Sequence, residues 1–265
     1  MNPIPTKMEV LLFFGLFLAL ALWSRFYKAL FHAHSFHPSK MHRTLLAIFP
    51  VACVLCIAVV LWRWSSPDVR SSKEWIFLYT MNGAAWLCLG LYLLSLFGVG
   101  VREDVLERQN PAAAWVVYGT LIGTTFCYAG ANIGTGPGME VVLFCAAVAT
   151  ACLFGFWFFL ERFFQLADRV TIERDEAAGI RIGGWVASLG MVFGGAVVGD
   201  WESLRKALRD FVDYAWVALL FLLVAVVIEW FYKSQQENPR RGTAAAISAA
   251  YILAGAVYVV WRSMP

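Results

Sequence analysis

Residues 107–134 read ERQNPAAAWVVYGTLIGTTFCYAGANIG, and residues 173–199 read ERDEAAGIRIGGWVASLGMVFGGAVVG. Each opens on Glu-Arg, passes through Asn or acidic residues and a cluster of small ones, and continues as an apolar run studded with glycine. Shifted by 65 residues, Ala112-Ala113-Ala114 lies over Ala177-Ala178-Gly179, Gly119 over Gly184, Gly130 over Gly195, Ala131 over Ala196 and Gly134 over Gly199. A helix needs about 20 apolar residues to cross the hydrocarbon core of a bilayer. Two runs of that length with the same internal order mark a repeated membrane-spanning unit.

The rest of the 265-residue chain agrees: 60% of it is hydrophobic and only 15% is charged. A soluble domain of this size could not bury so much apolar surface. That excludes most soluble enzymes, nucleic-acid binders and disordered chains. The net charge of +3 is mild and points to no nucleic-acid partner. The partner that composition does imply is the lipid bilayer.

Eight stretches have spanning length, near 8–30, 43–63, 74–100, 112–133, 139–165, 177–199, 211–232 and 243–262. Ser65-Ser66-Pro67-Asp68 and Gly134-Thr135-Gly136-Pro137-Gly138 supply turn formers between them. The first span has Lys7, an apolar core and Ala33, as a signal peptide would. Its length and its exit, Arg25-Phe26-Tyr27-Lys28, read instead as a retained helix. The odd spans repeat as well: Met8-Glu9-Val10-Leu11-Leu12 opens the first and Met139-Glu140-Val141-Val142-Leu143 the fifth. The fifth leaves through Glu161-Arg162-Phe163-Phe164 and the seventh through Glu229-Trp230-Phe231-Tyr232-Lys233. Glu237-Asn238-Pro239 followed by Ala244-Ala245-Ala246 is a weaker copy of the loop motif.

The expected fold is therefore all-α: a polytopic integral membrane protein with about eight transmembrane helices in four two-helix repeats. The units fall near 1–66, 67–134, 135–199 and 200–265 of a single membrane domain. Each unit starts and ends on the same side, a parallel rather than inverted repeat. Connections after spans one, three, five and seven hold twelve Lys and Arg, and the opposite side holds eight. The positive-inside rule then places those loops in the cytoplasm and both termini outside.

A helix, a loop of the form Glu-Arg-x-Asn/Glu-(Pro)-Ala-Ala and a Gly-rich helix together resemble a bacterial inner-membrane family known as domain of unknown function 350. The motifs that carry the resemblance are Glu107 to Gly134 and Glu173 to Gly199. With their flanking helices they cover roughly residues 74–232. The first unit departs most, because its loop from Phe31 to Arg43 carries histidines in place of the acidic Asn-Ala-Ala pattern. The resemblance implies a bacterial inner membrane, and a role in envelope maintenance or stress; it carries over no activity.

Glycine ladders are the strongest local signal. Gly119/Gly123 and Gly130/Gly134, then Gly179/Gly183, Gly190/Gly194 and Gly195/Gly199, are four apart and share a helix face. A bare face admits another backbone. Helix packing within the chain is the plain reading; a subunit interface in a homo-oligomer, or a narrow path between repeats, is the alternative. Glu107, Asn110, Glu173, Asp175 and Glu176 precede helix starts, where they cap free N–H groups. Convergence of these loops into a site for a cation or a cytoplasmic protein partner is the other possibility.

Ionisable groups inside spans are costly and so single themselves out. Glu161 and Glu229 sit at matching exits beside Arg162 and Lys233, where snorkelling or local pairing would hold them. Arg181 lies about a turn inside the sixth span, within reach of headgroups or of Glu161, Asp175 or Asp200. Asn132 beside the glycine-rich turn either caps it or lines an outer mouth. His32, His34 and His37 in the first loop are weak metal candidates, since no Cys or acid accompanies them. Cys53 and Cys56 form a C-x-x-C within an apolar run, which reads as core packing. Trp23, Trp64, Trp75, Trp201, Trp230 and Trp261 at span ends read as an interfacial belt.

No nucleophile elbow, phosphate loop, zinc-protease or dinucleotide motif occurs. The expectation is a non-enzymatic membrane component or scaffold without a cofactor. The alternative is a small-solute or ion channel or transporter with a path between the repeats.

Overall fold

A computed structural model describes residues 7–32, 40–135, 138–201, 203–235 and 241–263. They form α1 (Lys7–His32), α2 (Lys40–Trp64), α3 (Pro67–Arg70), α4 (Lys73–Leu96), a π-helical turn (Val101–Glu107), α5 (Pro111–Gly130), α6 (Met139–Phe164) and α7 (Leu166–Thr171). There follow α8 (Glu176–Ala196), α9 (Leu204–Ala215), α10 (Val217–Gln235) and α11 (Arg241–Ser263). No strand occurs among the described residues. Seven of these helices are long and apolar enough to cross a membrane, and the bent pair α9–α10 makes an eighth if it is one span. The protein is an all-α, multi-pass membrane protein.

Two span boundaries differ from the sequence reading. The third span was expected to run to residue 100, but α4 ends at Leu96 and the chain turns at Gly98 with φ +89°. The seventh was expected to begin near 211. A helix is already present from Leu204, and it breaks at Trp216 with a 43° bend into α10. Arg205, Lys206, Arg209, Asp210 and Asp213 explain this: five charged residues in one short helix cannot follow α10 into hydrocarbon.

The second helices of the hairpins, α2, α5, α8 and α11, stand side by side in a row. Their direction follows from who meets whom. Ala112 meets Gly179, Gly119 meets Gly183, Gly130 meets Gly194 and Gly134 meets Gly199, so α5 and α8 run parallel. Gly184 meets Ser248 and Gly195 meets Tyr258, so α8 and α11 also run parallel. Phe49 packs on Tyr118, and the Gly134 N–H donates to the Trp64 carbonyl, which gives α2 and α5 the same direction. The first helices α1, α4, α6 and α10 flank this row.

Buried fractions identify the axis. Nearly all of the apolar run of α8 is buried, whereas less than a quarter of that of α1 or α11 is. The outer helices instead expose Phe13, Phe14 and Phe17 on α1, Leu55 and Val59 on α2, and Leu223 and Val227 on α10. Lipid tails are as apolar as these side chains, so such exposure costs nothing there.

Polar side chains tie the helices together where they can find a backbone acceptor. The Asn82 amide donates to the Leu12 carbonyl and joins α4 to α1. The Tyr128 hydroxyl donates to the Tyr79 carbonyl across α5 and α4 at 2.8 Å. The Trp185 indole donates to the Phe221 carbonyl across α8 and α10. The aromatic belt is only partly as expected. Trp64, Trp230 and Trp261 are exposed at helix ends, but Trp201 is buried against Gly199, and Trp23 donates to the Ala84 carbonyl within the packing. All six cysteines carry free thiols.

Candidate functional site

The seam between α5 and α8 is closed at backbone distance. A Cβ added to Gly119 would stand 2.1 Å from the Gly183 carbonyl oxygen, and one added to Gly130 would stand 2.0 Å from that of Gly194. Conversely, a Cβ on Gly183 would meet the Trp115 carbonyl, one on Gly194 the Phe126 carbonyl, and one on Gly179 that of Ala112. Gly123 and Gly190 oppose each other midway. Gly195 differs: it faces Tyr258 of α11. Small residues on both helices let the two backbones touch, which leaves no passage between them.

Both ends of this seam are locked. At the face carrying the glycine-rich turn, the Thr135 N–H and hydroxyl donate to Asp200 Oδ1 at 2.6 and 2.7 Å. The Trp201 N–H donates to the Thr135 carbonyl and the Gly199 N–H to that of Ile133. The two bonds from Thr135 hold the Asp200 carboxyl below the usual carboxylate range. A lowered pKa means that this lock contributes above the ordinary carboxylate range and is lost as pH falls through the folded value. Asp200→Ala is therefore expected to lower the thermal midpoint at pH 7 and to shrink the drop in midpoint between pH 7 and pH 3. Melting curves at both pH values check this.

At the opposite, charged face, Asn110 and Asp175 cap α5 and α8. Asn110 Oδ1 accepts from Ala112 and Ala113, and Asp175 Oδ1 accepts from Ala178. Each cap is preceded by a left-handed residue, Gln109 at φ 52° and Arg174 at φ 56°. The Asn110 amide also donates to the Val170 carbonyl at 2.6 Å, and the Arg174 guanidinium to that of Arg108 at 2.5 Å. The same loop motif thus folds the same way twice and then crosses over to its copy.

Beside these caps lies a cluster of charges carried into the packing. Gln165, at φ 50°, turns the chain from α6 into the short α7, which presents Arg169 inward. Arg169 bonds Glu229 Oε2 of α10 at 2.7 Å and Asp175 Oδ2 at 3.2 Å. Arg181, wholly buried in α8, bonds both oxygens of Glu229 at 3.0 and 3.1 Å. Its guanidinium also sits 4.4 Å from the Tyr232 ring centroid, and its Nη1 has no hydrogen-bond partner among the described residues. Two arginines and two carboxylates balance, which is what makes burial of four charged groups tolerable.

This corrects the reading of the ionisable residues. Glu229 does not pair with Lys233; Lys233 reaches the Phe163 carbonyl instead. Glu161 does not meet Arg181 but accepts from the Ala167 N–H at 2.7 Å. Opposite charges in spans six and seven at similar depth were the signal that could have matched Arg181 with Glu229. Arg169, in a loop, carried none.

Among the described residues the acidic side chains of the loops turn mostly to arginines. Glu107 pairs with Arg102, Glu176 with Arg241 at the start of α11, and Asp175 with Arg169, while Glu173 is exposed. No group of three or more His, Cys, Asp or Glu that could hold a metal ion occurs among the described residues. The candidate ligands His34 and His37, and the side chain of His32, lie outside them.

At the turn face a cavity of about 330 Å³ opens between α2, α3, α4 and the ends of α5 and α8. Ser65, Asp68, Trp75, Tyr79, Asn132 and Trp201 line it. Asn132 donates to the Tyr128 carbonyl from there, and the Trp201 indole nitrogen is buried without a partner among the described residues.

A family model described as Domain of Unknown Function (DUF350) matches the chain twice, over residues 70–174 and 138–261. The second match begins about one repeat length after the first, and both include α6. No curated protein and no solved structure matches the chain.

Proposed function

The chain belongs to the DUF350 family, and on that premise we propose that it is a non-enzymatic component of a bacterial inner membrane that recruits a cytoplasmic protein to its charged face. The closed glycine seam carries this reading. A rigid α5–α8 core suits a platform, and it leaves no room between the two units where a conducting path would run. The excess of Lys and Arg in the loops of the charged face supports a cytoplasmic position for them and a periplasmic one for the termini. That face also offers something to bind: Ile172 is 72% exposed in the α7–α8 connection, beside exposed Asp168 and Glu173. An apolar side chain with charged neighbours has, in miniature, the apolar centre and polar rim of a protein interface.

The competing reading, passage of a small solute or ion, has the turn-face cavity in its favour. A photocrosslinker placed at Ile172 in cells is expected to give a discrete adduct with a soluble protein, and one at the membrane-exposed Leu253 is not. In proteoliposomes, solute and ion flux is expected to equal that of protein-free vesicles. No adduct at Ile172, together with flux above that of protein-free vesicles, would reverse the ranking.

A further inference from the structure

Helix α9 has no counterpart between the hairpins of the other units, where α2 leads to α4 through the four-residue α3 and α5 to α6 through the glycine-rich turn. At 100° per residue its twelve residues divide into strips. Ala207 and Phe211 are buried, and Tyr214 joins them on the packed edge, held by the Tyr258 hydroxyl on its carbonyl and by Arg262 over its ring. Next around the helix come Leu204, Leu208 and Val212, which are 47%, 45% and 61% exposed. They lie four apart, within an arc of about 80°. Arg205 and Arg209, both exposed, border that arc on its far side. Lys206, Asp210 and Asp213 come last.

This order repeats the depth profile of a membrane interface: acyl chain, then phosphate, then water. The apolar arc leads through the break at Trp216, itself 56% exposed, to Leu219, Leu220 and Leu223 on the outer side of α10. A tryptophan at such a bend sits at headgroup level. Arginine is the cation best shaped to hold a phosphate with two donors at once. From this arrangement we propose that α9 lies in the plane of the membrane interface and binds anionic phospholipid, with Arg205 and Arg209 on the headgroup and Leu204, Leu208 and Val212 against the acyl chains. The occupant is lipid rather than protein because the apolar strip is continuous with a membrane-spanning face and the charge beside it is complementary to an acidic headgroup.

The test uses the full chain extracted from bilayers of equal phosphatidylglycerol and phosphatidylcholine, with retained lipid identified by native mass spectrometry. The wild type is expected to retain phosphatidylglycerol preferentially. Arg205→Gln/Arg209→Gln is expected to lose about thirty-fold in that preference, or about five-fold for each arginine. Arg102→Gln, on the opposite face, is expected to change nothing. Thermal midpoints show whether each variant is folded, and Arg209→Gln alone provides the reading if the double variant is not. No preference in the wild type, or an equal preference in folded Arg209→Gln, would overturn the proposal.

Discussion

Gly130→Leu is expected to leave little folded protein in the membrane fraction. A side chain at this position starts 2.0 Å from the Gly194 carbonyl oxygen, and the neighbouring atoms are backbone, which cannot rotate away. The helices would have to part, and parting strains the locks at both ends of the seam, Thr135 on Asp200 and Asn110 on the Val170 carbonyl. Even Gly130→Ala is expected to cost about 3 kcal/mol, at the upper end of overpacking effects. Two glycines give the control. Gly155 in α6 and Gly242 in α11 have nothing within 4 Å of an added Cβ. Alanine there is expected to be neutral or to stabilise by up to about 1 kcal/mol, through helix propensity alone. Fluorescence-detected size exclusion and thermal midpoints separate the two classes. Wild-type yield and mobility for Gly130→Leu would show that the seam is not closed.

The architecture was legible in the sequence because its determinants are periodic. Spanning length shows in runs of apolar residues, and closeness of backbones shows in glycine at four-residue spacing. Gly119, Gly130, Gly179, Gly183 and Gly194 are singled out by that spacing alone. What sequence could not supply was which of several bare faces meets which. Gly195 belongs to the same ladder as Gly199 yet faces Tyr258 of α11, whereas Gly199 faces the Trp201 ring and turns its carbonyl to Gly134. The capping role of Asn110 and Asp175 was legible for a similar reason, since a cap is a local event. The partners of Arg181 and Glu229 were not, because they depend on how three helices and a loop pack, and the nearest opposite charge in sequence was the wrong one in space. The start of α9 was missed because a short amphipathic helix has no hydrophobic run to announce it, and its charges read as loop.

Glu229→Leu is expected to be among the most damaging substitutions outside the glycine seam. Glu229 accepts from Arg181 twice and from Arg169 once, and Arg181 is wholly buried. Removing the carboxylate leaves a buried guanidinium uncompensated, at a cost of about 3–5 kcal/mol. Arg169 retains Asp175, so the loss falls chiefly on Arg181. The balance of charge then predicts a rescue. Arg181→Leu/Glu229→Leu removes one charge of each sign and leaves the Arg169–Asp175 pair intact, so the double variant is expected to be more stable than Glu229→Leu alone. A double-mutant cycle of thermal midpoints in nanodiscs measures the coupling. Additive losses would show that the two residues act independently and that the cluster is not a single electrostatic unit. Recovery to near the wild-type midpoint would show that the pair contributes little net stability, its attraction only offsetting the cost of burying both charges.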